Sequence, residues 1–376
     1  MQGHVDVLVV GGGLAGSSVA ARLVEAGRHV VLLEKSKGPH HKVCGEFISR
    51  EALHYLEHHN VDMSALGGVP IRSVRLVTNN RQEEASLPFA AISVTRKILD
   101  EAMLRVASQS GAEVHRNSAV DELQKNLQGD WCANLRDGGS FQATHAFLAT
   151  GKHDLRGWAR PAGTHRGLVA FKMFYQLTPE QHAKLGHAVE LTLFPGGYAG
   201  MQPVEHGAVN LCLVVTSEQL RKVGSNWNGL LPHLLQSSPH LDARLSGATP
   251  LLTAPLAISH IPYGHMQRPV RDGLWRVGDQ AAVIPSFCGD GMAIALHSGA
   301  LAAEQFLHGA TPQSFQHKLR DQLQVRLSIA TRISQLMVAF PQAARVISLS
   351  PGLLSTIALM TRIPQRALLT SNGVST

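Results

Sequence analysis

Cysteine is scarce in this chain of 376 residues: Cys44, Cys132, Cys212 and Cys288 stand far apart and form no CxxC pair. That spacing argues against a disulfide framework and a structural zinc site, and a reducing, cytoplasmic compartment is the expectation. No apolar stretch reaches the length of a membrane span, because Pro341 and the Pro351-Gly352 pair interrupt the apolar tail. No basic region precedes the first apolar run, so no signal peptide is expected. The net charge is +7, yet the lysines and arginines are scattered and no basic run interleaves with aromatics. Nucleic acid is therefore not an expected partner; mild attraction to anionic surfaces or ligands is. Histidine is plentiful at 21 residues. His54 and His58 stand at helical i, i+4 spacing, but no third ligand is near them in sequence and no metal site is expected.

What is present begins at residue 5. The apolar run Val5 to Val10 reads as a strand buried on both faces, and it enters glycines at Gly11, Gly13 and Gly16. In a GxGxxG turn the first glycine permits a tight bend, the second lets backbone approach a pyrophosphate, and the third lets helix pack closely on strand. The helix from Leu14 to about Ala26 then aims free N–H groups and a positive dipole end at the phosphates. Gly27 ends it, and a second strand, His29 to Leu33, delivers Glu34, with Lys35 beside it, where a carboxylate accepts from ribose hydroxyls. A carboxylate there disfavours a 2′-phosphate, so the adenosine is that of FAD or NAD.

The chain length suggests about two domains. Residues 37 to 50 read as a polar loop, Glu51 to His59 as a short helix, and 71 to 94 as strands around an Asn79-Asn80 turn. Thr95 is expected to cap a helix with Ile98, Leu99, Ala102, Met103 and Val106 on one face, stopped by Gly111. Trp131 to Leu135 and Phe141 to Ala149 flank Asp137-Gly138-Gly139, a hairpin signature whose second arm runs into Gly151. Leu168 to Tyr175, Val189 to Phe194 and Val209 to Val215 alternate, predicting an antiparallel sheet with one wet or ligand-facing side. A second motif follows far downstream: strand Leu274 to Val277, then Gly278-Asp279, a loop through Pro285, Gly289 and Gly291, and a small-residue helix from Met292 to about His308.

With these two motifs in one chain, the sequence resembles the superfamily of FAD-dependent aromatic hydroxylases (p-hydroxybenzoate hydroxylase-like) and geranylgeranyl reductases across roughly residues 4 to 310. The resemblance implies an α/β fold: a Rossmann-like FAD-binding domain of GR2 type, an interleaved antiparallel β-sheet substrate domain and a helical C-terminal tail. Its expected divisions are 1–70, 95–160 and 266–310 for FAD, 71–94 and 161–265 for the sheet, and 311–376 for the tail. The cofactor implied is FAD. Asp279 would bind the ribityl chain, backbone N–H groups of Gly291 and Met292 the flavin pyrimidine edge, and Arg96 the phosphates, with Asp100 four residues on. Cys44-Gly45 in HKVCGEFIS matches the cysteine-glycine motif of geranylgeranyl reductases, close to the flavin. Cys44, and Cys288 through its loop, would shape the active site or else be small packed thiols.

Two features depart from relatives. Residues 149 to 157, ATGKHDLRG, lack the Asp-Gly pair that serves FAD and NAD(P)H in aromatic hydroxylases, so the electron donor is either NAD(P)H or a separate flavin or ferredoxin reductase acting as a partner. The WxWxIP signature of flavin-dependent halogenases is absent too. Tyr198, Gln202 and His206 are polar candidates for the substrate side, with Phe174 and Phe194 as apolar walls; Cys44, Tyr198 and His206 are the catalytic candidates. Residues 314 to 340 read as an amphipathic helix, and the apolar tail with Arg345 and Arg362 near its ends would suit a lid, a dimer contact or a peripheral membrane dip. These features predict a small lipophilic substrate: polyketide, aromatic or isoprenoid. The first expectation is a monooxygenase that uses reduced flavin and O2. The alternatives are a geranylgeranyl-reductase-like enzyme reducing C=C bonds, and a flavin electron-transfer or membrane-surface binding protein.

Overall fold

Val5 to Val10 form the centre of a parallel sheet because every side chain from Val7 to Val10 is buried. The computed structural model describes residues 4–78, 81–340 and 351–369. Strand β1 (His4–Val10) leads through helix α1 (Leu14–Glu25) to β2 (Val30–Leu33), then β3 (Phe47–Ser49), α2 (Arg50–His58), β4 (Val69–Thr78), β5 (Arg81–Ser93), α3 (Arg96–Gln109) and β6 (Glu113–His115). A meander β7 (Val120–Lys125), β8 (Trp131–Leu135) and β9 (Ser140–Leu148) follows. Next come β10 (Leu168–Gln176), α4 (Pro179–Leu185), β11 (Ala188–Phe194), β12 (Gly197–Pro203), β13 (Val209–Thr216), α5 (Ser217–Lys222), α6 (Trp227–Ser237), α7 (Pro239–Leu245), β14 (Thr249–Pro250) and β15 (Leu256–Ser259). The chain then returns through β16 (Trp275–Arg276) to α8 (Gly291–Leu307), α9 (Pro312–Ala339) and α10 (Pro351–Met360).

Two mixed sheets result. The first has order β6-β2-β1-β9-β8-β7, with β16 also on β9, and is parallel through β6, β2, β1, β9 and β16. One face packs on α1, α2, α3, α8 and α9 through Val7, Val9, Leu14, Val19, Leu99 and Leu301. The second has order β14-β10-β13-β12-β11-β4-β5-β3, with β15 also on β10.

Several expectations need correction. Residues 47–49 are not loop: β3 pairs with β5, because Phe47, Ile48 and Ser49 are all buried. The second sheet is not wholly antiparallel, since β4 runs parallel to β11. Nor is one side wet. Phe171, Met173, Phe194, Leu211 and Leu213 pack beneath Leu220, Leu230, Leu234 and Leu241 of helices α5, α6 and α7. The opposite face carries Leu76, Leu168, Ala170, Leu193, Tyr198 and Val214 toward the first domain. Thr95 makes no side-chain cap; its hydroxyl donates to Glu205 at 2.5 Å, and the first N–H of α3, that of Arg96, goes to Glu46 Oε2 at 2.9 Å. The strand expected at Leu274 to Val277 pairs only at Trp275 and Arg276. The Asn79-Asn80 turn and residues 341–350 of the tail lie outside the described residues.

Glu190 ties the outer face together. It receives Arg244 through NH2 at 2.6 Å and Nε at 3.1 Å, pairs with Arg75, and has His240 Nε2 at 3.1 Å. Burial alone would raise its carboxyl, but the hydrogen bonds and charges of His240 and Arg244 win, and it is held down at about 2 from an ordinary 4.5. A depressed acid stabilises the fold above its unfolded value and loses that contribution as pH falls through the folded value. Thermal stability should therefore drop between pH 4.5 and about 2, by roughly 3 kcal/mol from this group. Melting curves of Glu190→Gln should be flatter over that window; an unchanged slope would remove Glu190 from the account.

Candidate active site

Two glycine motifs meet in space although they are distant in sequence. A methyl added at Gly16 would stand 1.9 Å from the Gly11 carbonyl oxygen, and one at Gly11 would stand 2.4 Å from that of Ala149, so β1, α1 and the end of β9 touch backbone to backbone. On the other side of α1, a methyl at Gly299 would lie 2.7 Å from the Ala15 carbonyl oxygen and one at Gly278 would lie 3.1 Å from Ala15 Cβ. Small residues on α1 and α8 thus bring the turn at Gly278-Asp279 against the turn at Gly11 to Gly16.

At the adenosine end, Glu34 is buried and accepts from Gly12 N–H and Ser36 N–H, both at 2.8 Å. Burial pushes its carboxyl up, but Lys42 and the two N–H groups outweigh this and hold it below its ordinary value, so it stays an acceptor. Lys35 is exposed beside it. Over the N-terminus of α1 stand two cations: a methyl at Gly13 would be 3.7 Å from Lys42 Nζ and 3.8 Å from Arg96 NH2. Asp100 holds both, with Arg96 Nε at 2.7 Å and Lys42 Nζ at 2.8 Å. Two cations beside a helix N-terminus suit a pyrophosphate. Lys42 was missed by sequence reasoning; its proximity to Gly13 depends on the path of the loop.

At the flavin end, Gly289 has φ +71° and sits so close to the Phe47 ring that a methyl would be 2.5 Å away. Gly291 opens α8, is exposed and has nothing within 4 Å of where a Cβ would be. Met292 is buried. The start of α8 is therefore open beside Gly291, and a helix's first-turn N–H groups have no partner within the helix. Asp279 is half-buried, and its carbonyl oxygen accepts from Arg160 at 2.6 Å. These residues fit FAD: Glu34 would meet the ribose, Lys42 and Arg96 the phosphates, and the start of α8 the isoalloxazine.

The loop 42–46 joins this site to the second sheet. Lys172 is fully buried, donates to the Lys42 carbonyl oxygen at 3.0 Å and pairs with Glu46, also fully buried and at φ +63°. Asn210 Nδ2 donates to the carbonyls of Gly45 at 3.0 Å and Cys44 at 3.3 Å, and Lys152 Nζ to that of Val43 at 2.8 Å. Asn210 Oδ1 is buried without a protein partner. Cys44 is half-buried, and Gly45 faces open space. Tyr198 comes from β12 to the loop before α8, its hydroxyl 2.8 Å from Ser286 Oγ.

Other candidates fall elsewhere. His206 is exposed at a turn with φ +58°, apart from this cluster, while its neighbour Glu205 is the buried acid that binds Thr95. Gln202 is buried against Ser93 at 2.7 Å. Phe174 lies beside Lys172 and His41, but Phe194 belongs to the outer cluster beneath the helices and walls nothing on the flavin side. Cys288 packs in the helical core, where burial raises its thiol well above the ordinary range. His54 Nε2 is 2.8 Å from the Leu369 carbonyl oxygen, and no group of three or more metal-ligating side chains stands together among the described residues. No helix among them is long and apolar enough to cross a membrane.

Comparison with known proteins places the chain among FAD-dependent oxidoreductases. Residues 4–144 match the FAD binding domain family. A menaquinone reductase of Mycolicibacterium smegmatis is 25% identical over 96% of this chain and 91% of its own length. Digeranylgeranylglycerophospholipid reductase 2 of Methanopyrus kandleri is 26% identical over 80% of this chain and 76% of its own. Among solved structures, the flavin-dependent brominase Bmp2 shares the fold with TM-score 0.77 at 19% identity, covering 96% of this chain and 93% of that one. The probable FAD-dependent monooxygenase PqsL of Pseudomonas aeruginosa does so with TM-score 0.68 at 16% identity, covering 94% of this chain and 99% of that one. The chain is an FAD-dependent oxidoreductase, similar over most of its length to these two reductases.

Proposed function

We propose that this oxidoreductase reduces isolated carbon–carbon double bonds in a lipid bearing isoprenoid chains, the second of the two enzymatic readings the sequence allowed. The observation that carries the reading is the Cys44-Gly45 turn, clamped by Lys152, Lys172 and Asn210 between the phosphate-facing cations and the inner face of the second sheet. The two sequence relatives named above support it, being named as reductases of menaquinone or of a digeranylgeranyl lipid, while the more distant structural neighbours are a brominase and a probable monooxygenase. When bound and reduced by NAD(P)H or by a separate flavin or ferredoxin reductase, FAD would supply the hydride for one carbon of the double bond, the other carbon taking a proton from water. Leu168, Ala170, Leu193 and Val214 form an apolar inner sheet face that excludes water. Tyr198, through Ser286, fixes that sheet against the flavin loop.

Cys44→Ala should keep its FAD and lose turnover by about a hundredfold, because the side chain shapes the space next to the reacting carbon; unchanged turnover would return Cys44 to a packing role. The reading as a whole is tested by reducing the FAD-loaded protein without oxygen and adding a geranylgeranyl lipid or an isoprenoid quinone. Reoxidation of the flavin with a double bond of the geranylgeranyl chain or of the quinone's side chain saturated supports it; reoxidation that reduces only the quinone ring counts against it. Reoxidation only on admitting air, with oxygen appearing in the substrate, supports the monooxygenase reading instead. A lipid substrate has to be drawn from a bilayer, and exposed Val325 and Leu336 with Lys318 and Arg332 on α9, and exposed Phe340 just after it, support a peripheral contact with an anionic membrane surface.

A further inference from the structure

The turn that opens α8 is gripped from beneath by the C-terminal segment. Arg362 is buried, and NH1 donates to Asp290 Oδ1 at 2.6 Å, NH2 to the Cys288 carbonyl oxygen at 2.7 Å, and Nε to the Ala358 carbonyl oxygen at 3.0 Å. The same guanidinium lies over Phe89 and Phe47, its carbon 4.5 and 5.6 Å from the ring centroids. Asp290 is the residue before α8 and also accepts from Ser49 Oγ at 3.1 Å, while its Oδ2 is buried without a hydrogen-bond partner. Arg362 therefore holds Cys288 and Asp290, one on each side of Gly289, and Gly289 itself rests on the Phe47 ring that Arg362 covers. Glycine on both sides of Asp290 gives this turn little stiffness of its own. Its geometry is imposed from a segment 72 residues downstream.

We propose that Arg362 is a positioning residue for the cofactor: through Asp290 and the Cys288 carbonyl it fixes the direction of the Gly291 and Met292 N–H groups, so the C-terminal segment sets both FAD affinity and the reduction potential of the bound flavin. The inference rests on the FAD reading of the site. A helix N-terminus aimed at the pyrimidine edge stabilises the negative charge gained on reduction, so a turn that relaxes lowers the potential as well as the affinity. Without its cation, Asp290 becomes a buried carboxylate with only Ser49 as a donor, and it must take a proton or pull the turn open.

The test uses the full chain with Arg362→Met, Arg362→Lys and Asp290→Asn, each titrated with FAD as apoprotein and poised for its midpoint potential, with melting temperatures for apo and FAD-loaded forms. Arg362→Met should bind FAD about tenfold more weakly, have a more negative potential, and lose more melting temperature in the loaded form than in the apo form. Arg362→Lys keeps a charge for Asp290 but not the full set of donors, and should fall between. Parent-like affinity and potential in either Arg362 variant, with equal losses of melting temperature in apo and loaded forms, would make Arg362 a structural tie only and overturn the inference. If Arg362→Met does not fold, Arg362→Lys and Asp290→Asn decide it by the same criteria. Failure of the parent chain to bind FAD would be a different result, against the site itself.

Discussion

Lys172→Met should destabilise the protein by about 3–5 kcal/mol in urea unfolding, among the largest losses expected of a single side chain. Lys172 and Glu46 are both fully buried, and the pair is joined to Arg96 N–H and the Lys42 carbonyl. Burial already pushes the Glu46 carboxyl above its ordinary value in spite of Lys172. With the ammonium gone, the carboxylate is uncompensated and its protonated form is favoured further. A raised acid is least costly at low pH, so the deficit of Lys172→Met should shrink as pH falls below neutrality. Glu46→Gln combined with Lys172→Met should recover much of the loss, since neutral partners remove the buried charge. The same variant should lose turnover even where it is folded, because the 42–46 loop carries Cys44. A deficit that is independent of pH and not eased by the double substitution would mean that the pair does not bear charge in the fold.

The second large effect belongs to Gly16→Ala. Its new methyl would fall 1.9 Å from the Gly11 carbonyl oxygen, a backbone atom that cannot swing aside, and 3.1 Å from Ala149 Cβ. Helix α1 must then lift off β1, at a cost of about 1–3 kcal/mol in stability, and its N–H groups leave the phosphates. FAD affinity should fall by at least about a hundredfold, which corresponds to about 2.7 kcal/mol, and the protein should purify without flavin. Gly27→Ala is the contrast: φ is +78° there but nothing lies within 4 Å, so it should cost stability alone, about 1 kcal/mol, and retain FAD. If both variants held FAD equally, close packing at Gly16 would not be what builds the phosphate site.

What could be read from the chain follows how local each signal was. The turn at Gly11 to Gly16, Glu34 after β2, and the return at Gly278 are short-range patterns whose backbone demands are met by residue type, and in the structure Gly12 meets Glu34 while Gly278 lies against Ala15. Strand β3 was hidden because Phe47-Ile48-Ser49 is only three residues inside a polar stretch, and its partner β5 is far along the chain. The parallel pairing of β4 with β11 has no local signature at all. Lys172 stands at an inward position of β10, and nothing local in the sequence marks it as the partner of Glu46, 126 residues away. Phe194 was assigned to the wrong face for a related reason: alternation shows which residues share a face, but helices α5, α6 and α7 decide which face looks away from the flavin. The role of Arg362 required the tail to be folded back on α8.

The measurement that bears most directly on the function is the mass of the product after a single anaerobic turnover of the reduced, FAD-loaded protein with a geranylgeranyl lipid. The account predicts a lipid that has gained two hydrogen atoms, with the flavin returned to its oxidised form. A lipid left unchanged without oxygen and carrying one added oxygen atom after exposure to air would contradict it.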